Sequence, residues 1–203
     1  MPSIYDLKPR FQNLLRPSVT RLHARGVTAN QVTLFACAIS ILVGAVVAIF
    51  AEHPAVFALL PLWMLLRMGL NAVDGMLARE FGQQSRLGAY LNEITDLVAD
   101  AALYLPFACL IGVSGVAVGA VVLLAWLSEY AGVLGLMVGA SRRYDGPMGK
   151  SDRAFVFGLL GFLLAIGVPV APWLTPIMAV LAALLLFTTY NRIKRGLAEQ
   201  PAR

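Results

Sequence analysis

Six runs of mostly apolar residues follow one another along a chain of 203. Each is close to the roughly 20 residues an α-helix needs to cross the hydrocarbon core of a bilayer. They fall at 30–51, 54–79, 87–112, 115–140, 153–170 and 173–192. Their breaks are Glu52-His53-Pro54, the polar stretch 80–86, the glycines at 112–115, the segment 141–151 and the corner between Pro169 and Pro172. Composition agrees: 59% of the residues are hydrophobic and 13% charged, where a soluble domain averages roughly 25% charged. Water-soluble, disordered and low-complexity chains are excluded, and the connectors are too short for a soluble domain. Two cysteines cannot form a disulfide framework, and Cys37 and Cys109 read as packing residues. The expected fold is an all-α integral membrane protein: six transmembrane helices preceded by an N-terminal cytoplasmic amphipathic interfacial helix.

Lys and Arg set the orientation. Fifteen of the 16 basic residues fall before the first run, in the connectors 79–86 and 141–153, or from Arg192 to the C-terminus. The alternate connectors hold none, so both termini are expected in the cytoplasm. Residues 1–29 read as an amphipathic juxtamembrane segment, 30–192 as the six-helix domain and 193–203 as a basic tail. In the first segment Ile4, Leu7, Phe11, Leu14, Leu15, Val19 and Leu22 recur at helical spacing. The pattern suits a helix lying at the headgroups, divided near Pro17. Thr28 and Asn30 offer N-cap oxygens to the first span.

A charge within a span costs about 2.5–3.5 kcal/mol on insertion scales and needs a reason to be there. Arg67, Asn71, Asp74 and Ala78 share one face of the second span. Gly88, Asn92, Asp96 and Asp100 share one face of the third. Short-connected helices are antiparallel neighbours, so these stripes are expected to meet. Carboxylates and carboxamides together are oxygen donors suited to Mg²⁺ or Mn²⁺. Gly75, Ala78 and Gly88 would let a flat ligand approach the backbone, although small residues also serve helix packing.

The run Asn71-Ala-Val-Asp74-Gly75-Met-Leu-Ala78-Arg79, followed at set intervals by Gly88, Asn92 and Asp96, resembles the signature of the CDP-alcohol phosphotransferases. That signature is D-x2-D-G-x2-A-R-x8-G-x3-D-x3-D. Six of its eight specified positions match across 26 residues. The polar Thr28–Thr33 start of the first span and the six-helix pattern resemble the family as well. The resemblance implies an enzyme that displaces CMP from CDP-diacylglycerol with the hydroxyl of a small alcohol. It places Asn71, Asp74, Asn92 and Asp96 at the divalent cations and Asp96 at the general base. It sets Asn30, Thr33, Gly75, Ala78, Arg79, Ser85 and Gly88 on the CDP-lipid. Asn71 and Asn92 stand where the family has aspartates. Asp74 and Asp96 alone balance one divalent cation, so one Mg²⁺ or Mn²⁺ is expected rather than two.

Arg67 and Glu129 lie mid-span, and a structural ion pair among Arg67, Asp100 and Glu129 is expected. Arg142, Arg143, Lys150 and Arg153 crowd a glycine- and proline-containing turn on the cytoplasmic side. Positive-inside topology accounts for them as well as phosphate binding does. If they bind phosphate, the acceptor is phosphorylated, with glycerol 3-phosphate the plainest choice; serine or a second lipid stays open. A CDP-lipid-binding relative without turnover and a small transporter are the competing functions. The transporter is disfavoured by the lack of an internal repeat. The expected partners are CDP-diacylglycerol, the acceptor, membrane lipids and a second copy in a homodimer, with no nucleic acid. The glycine pairs Gly115/Gly119 and Gly135/Gly139 would support helix association. The expected location is a bacterial inner membrane.

Overall fold

The structure is a computed structural model describing residues 4–199, with side chains from residue 11 onward. Ile4, Leu7, Lys8 and Arg10 of the amphipathic pattern therefore lie outside the described side chains, and Arg203 outside the described residues. Among the described residues there are seven α-helices and no strand: α1 Ile4–Ala24, α2 Ala29–Ile49, α3 Leu59–Glu80, α4 Arg86–Tyr104, α5 Gly115–Leu134, α6 Lys150–Ala165 and α7 Ala171–Ala198. Short 3₁₀ turns precede α3 and follow α4 and α5.

Four helical stretches are long and apolar enough to cross a membrane: Ala29–Ile49, Pro54–Glu80, Gly115–Val138 and Ala171–Ala198. The other two expected spans fall short for physical reasons. α4 carries Glu93, Asp96 and Asp100 within 19 residues. α6 has 16 residues, about 24 Å of helix. α7 runs past 192 to Ala198, so Lys194 and Arg195 lie on its last turns.

The chain forms two compact units. The first comprises residues 1–42 and 63–99. Its core joins Val19 of α1 to Ala29 and Val32 of α2 and to Val73, Met76 and Leu77 of α3, with Leu15, Leu22, Val27 and Phe81 packed around them. α1 thus lays part of its apolar stripe on protein, while Leu14 is exposed. It also runs unbroken through Pro17, where the sequence suggested a division. The α2 start is fixed by a capping box: Thr28 Oγ1 accepts from Gln31 N–H at 3.3 Å, and Gln31 Oε1 accepts from Thr28 N–H at 2.9 Å. Gln83 reaches back from the α3–α4 connector, and its Oε1 accepts from Ala29 N–H at 2.7 Å. Deeper in α2, Trp63 Nε1 donates to Ser40 Oγ at 2.8 Å, satisfying two polar groups away from water.

The second unit comprises residues 43–62 and 100–203. Tyr104 stacks on Phe157 with centroids 3.9 Å apart, and Phe107 meets both Phe57 and Phe157 edge-on at 5.3 Å. α2 and the end of α4 touch at Gly44, where a Cβ would overlap the Ala102 carbonyl. Replacing Gly44 by Ala is expected to cost about 1–3 kcal/mol or more, because backbone cannot give way as a side chain can. Thermal unfolding in detergent measures this.

Gly135 and Gly139 each have a local role within the chain. A Cβ on Gly135 would stand 2.8 Å from Ser141 O, and Gly139 takes φ +80° to end the 3₁₀ turn after α5. Cys109 is exposed rather than packed; Cys37 is part-buried, and both are free thiols.

Candidate active site

The polar stripes of α3 and α4 meet, as their spacing required. Arg67 Nη2 donates to Asp96 Oδ1 at 3.0 Å and to the Asp96 carbonyl at 3.3 Å. Arg67 is almost wholly buried, whereas the Asp96 side chain keeps 24% of its surface exposed. Arg67 thus anchors Asp96, whose side chain stays partly exposed.

Asp74 is buried at 7% exposure. Thr33 Oγ1 lies 2.8 Å from Asp74 Oδ2 and 3.1 Å from Ala29 O. A hydroxyl has one proton, and the shorter, charge-assisted bond to the carboxylate is the stronger claimant. The start of α2 thereby orients the α3 carboxylate. Asn71 is part-buried one turn above Arg67, and Asn92 is exposed one turn before Asp96.

Two signature positions have a local structural reason. A Cβ on Gly75 would sit 2.7 Å from Arg79 Nη2, so the glycine leaves room for this guanidinium to fold back along its own helix. A Cβ on Gly88 would meet Asn30 Oδ1 at 2.9 Å and Ser85 Oγ at 3.0 Å. Ser85 caps α4, its hydroxyl accepting from Gly88 N–H at 2.9 Å. Asn30, Ser85 and Gly88 therefore cluster, with Ala78 part-buried on α3.

No group of three or more His, Cys, Asp or Glu side chains able to hold a metal is present among the described residues. Two carboxylates and two carboxamides fit one hard divalent cation.

The basic residues of the α5–α6 connector belong to the second unit. Arg153 is 2% exposed; its guanidinium donates to Glu129 Oε1 at 3.0 Å from each Nη, to Asp100 Oδ2 at 3.2 Å and to Met148 O at 3.3 Å. The cation that joins Asp100 to Glu129 is therefore Arg153, a residue the sequence reading had assigned to the acceptor rather than to the ion-pair cluster. Arg192, assigned to topology, is a second: it is 1% exposed and lies 3.1 Å from Glu129 Oε2. The signal for both was Glu129 itself, which needed more positive charge than the spans offered. Arg67, also expected among these charges, bonds Asp96, one turn before Asp100 along α4.

Arg143 holds Asp145 at 2.8 Å and also bonds Glu199. Arg142 reaches Glu129 at 3.4 Å and lies over the Tyr144 ring. Lys150, part-buried, is the first residue of α6.

Burial raises the Asp145 carboxyl, but the bonds from Arg143 and Arg195 outweigh this and hold it below the usual carboxylate value. Glu199 is held down by the Ser141 N–H and hydroxyl, and by Arg143. A depressed carboxyl contributes stability above its unfolded pKa and loses it as pH falls through its folded one. Amide exchange of residues 141–149 is thus expected to be constant between about pH 6 and 8, apart from its intrinsic pH dependence, and to gain an extra opening only below about pH 4.

The paired polar stripes of α3 and α4 carry the signature positions on facing helices of one all-helical unit. Residues 26–193 match the CDP-alcohol phosphatidyltransferase family model. The chain belongs to this family, whose members are enzymes that transfer phosphatidyl groups. It is 44% identical over 192 residues to Inner membrane protein YnbA of Escherichia coli K12, covering 95% of each chain. It is 27% identical to the phosphatidylinositol phosphate synthase of Streptomyces avermitilis, covering 95% of this chain and 82% of that one. In fold it is similar to Mycobacterium tuberculosis phosphatidylinositol phosphate synthase, PgsA1, at 20% identity. The form with CDP-DAG bound gives a TM-score of 0.75, covering 92% of this chain and 98% of that one. The complex with manganese and citrate gives 0.74, covering 92% of each.

Proposed function

We propose that this protein transfers the phosphatidyl group of CDP-diacylglycerol to the hydroxyl of a small alcohol and releases CMP. The observation that carries the reading is the Arg67–Asp96 bond, which joins the two signature-bearing helix faces in one unit. Asp74 and Asp96, with the carboxamides of Asn71 and Asn92, would hold one Mg²⁺ or Mn²⁺; when bound, the ion offsets charge on the pyrophosphate. Manganese in the PgsA1 complex supports divalent-metal use here.

The acceptor oxygen bonds to the phosphatidyl phosphorus, the bond to the CMP oxygen breaks, and Asp96 takes the hydroxyl proton. Arg67 fixes the rotamer of that base, leaving part of its carboxylate exposed to receive the proton. Thr33 does the same for Asp74. Asn30, Thr33, Gly75, Ala78, Arg79, Ser85 and Gly88 form the proposed CDP-lipid surface. CDP-DAG in the PgsA1 structure supports the donor.

All six apolar runs are proposed to span the membrane, with both termini cytoplasmic and a homodimer as the working assembly. Outward-facing Tyr90, Ile94 and Leu105 of the α4 segment and Phe155 and Phe162 of α6 support lipid contact for the two marginal spans. The relative named an inner membrane protein supports a bacterial inner-membrane location. Family membership removes the transporter reading. A CDP-lipid binder without turnover keeps one observation in its favour, the two asparagines at family carboxylate positions.

The test is purified protein with CDP-diacylglycerol, Mg²⁺ or Mn²⁺ and an acceptor panel that includes glycerol 3-phosphate, glycerol and serine. CMP release with at least one acceptor is expected. Intact donor binding with no CMP from any acceptor would favour the non-catalytic reading. A parallel Mn²⁺ titration without donor is expected to find one site, and two tight sites would contradict the one-ion account.

A further inference from the structure

Within the second unit, three guanidinium groups converge on a single carboxylate. Glu129 receives Arg153 at 3.0 Å, Arg192 at 3.1 Å and Arg142 at 3.4 Å. Such a convergence is the usual way a protein recognises a phosphate, since each guanidinium presents paired N–H donors to anionic oxygens. Here the anion is part of the chain.

Most of the donors are already engaged. Arg192 gives Nη1 to Ser128 O at 2.6 Å and Nε to Asp145 O at 3.4 Å, besides its bonds to Glu129. Arg153 divides its terminal nitrogens among Glu129, Asp100 and Met148 O. Only its Nε lacks an acceptor among the described residues, and it is buried. The neighbouring Arg143 and Arg195 are likewise held, on Asp145 and Glu199. The close approach is built into the backbone. A Cβ on Gly132 would lie 2.5 Å from Arg143 O and 3.3 Å from Arg192 Nη1, and one on Gly146 would lie 2.7 Å from Thr188 Cα. Gly146 also takes φ +120°, which side chains rarely adopt. The two glycines let the 141–149 connector close over the cluster.

We infer that Glu129 occupies the anion seat of the basic cluster and thereby selects an acceptor alcohol that carries no phosphate. This deepens the transferase reading and rests on it, together with the proposal that the basic residues of the 141–153 connector serve the acceptor. An incoming phosphate would have to share buried guanidinium groups with a resident carboxylate, and like charges brought together there disfavour binding. A neutral polyol needs no free cation and meets no such repulsion.

Two readouts test the inference. With CDP-diacylglycerol and metal present, CMP release from glycerol should exceed that from glycerol 3-phosphate by about tenfold or more at equal concentration. Preference for glycerol 3-phosphate would overturn the inference while leaving the transferase reading intact. Independently of turnover, inorganic phosphate at tens of millimolar, about the scale of a weak single-ion site, should not raise the melting temperature of the wild-type protein. It should raise that of Glu129→Gln, which keeps a carbonyl acceptor of the same shape but frees the positive charge. Equal protection of both proteins would overturn the inference, as would protection of wild type alone. Should Glu129→Gln fail to fold, wild type still decides: protection by phosphate overturns the inference, and its absence supports it. No CMP with any acceptor would sink the transferase reading, and the phosphate measurement would still decide whether Glu129 fills the anion seat.

Discussion

Replacing Arg153 by Met is expected to destabilise the protein by about 3–5 kcal/mol, the largest stability effect of any single change considered. Arg153 is 2% exposed and is the side chain that meets both Asp100 and Glu129. Removing it leaves two buried carboxylates facing each other with less positive charge between them. The loss is therefore mostly the cost of stranded charge rather than the worth of the bridge. Denaturant or thermal unfolding in a fixed detergent measures it. The double variant Arg153→Met with Asp100→Asn should recover part of the loss, since it removes one of the stranded charges. A loss below about 1 kcal/mol, the value of an exposed pair, would mean that water reaches the cluster.

The second large effect is on turnover. Asp96→Asn is expected to lower CMP release by about 10²- to 10⁴-fold, the usual contribution of a positioned general base. The carboxamide oxygen can still accept from Arg67, so the fold and the binding of CDP-diacylglycerol should survive. That combination separates loss of a base from loss of structure. A fall in donor binding as large as the fall in rate would make Asp96 a binding group instead.

Most of the helical architecture is legible from the chain because apolar runs and their breaks impose it. Each of the six runs corresponds to one helix of the structure, and α4 and α6 depart from the others where charge or length weakens the run. The meeting of the α3 and α4 stripes was also legible, since steps of three and four residues on two short-connected helices leave little choice. What could not be read was which cation meets which anion. Asp96 and Asp100 are one turn apart on α4, and the sequence pattern does not say which of them Arg67 meets. Arg153 and Arg192 sit at the ends of apolar runs, where positive-inside bias alone would put them, and Arg153 read equally well as a phosphate contact. Their role comes from Glu129, 24 and 63 residues away in sequence. Nothing local marks such a pair. The packing of α1 on α2 and α3 was hidden for a similar reason. One apolar stripe can serve a bilayer surface and a protein surface, and Val19 in one core with Val32 and Leu77 shows that part of it packs on protein.

Asparagine at two of four family aspartate positions makes the chemistry itself the central question. The most direct measurement follows both products from labelled CDP-diacylglycerol in the presence of one divalent metal and a neutral polyol such as glycerol. Wild type is expected to yield one CMP for each new phosphodiester lipid, and Asp96→Asn is expected to yield neither while still binding the donor. CMP formed without a new lipid, or equal yields from wild type and Asp96→Asn, would contradict the account.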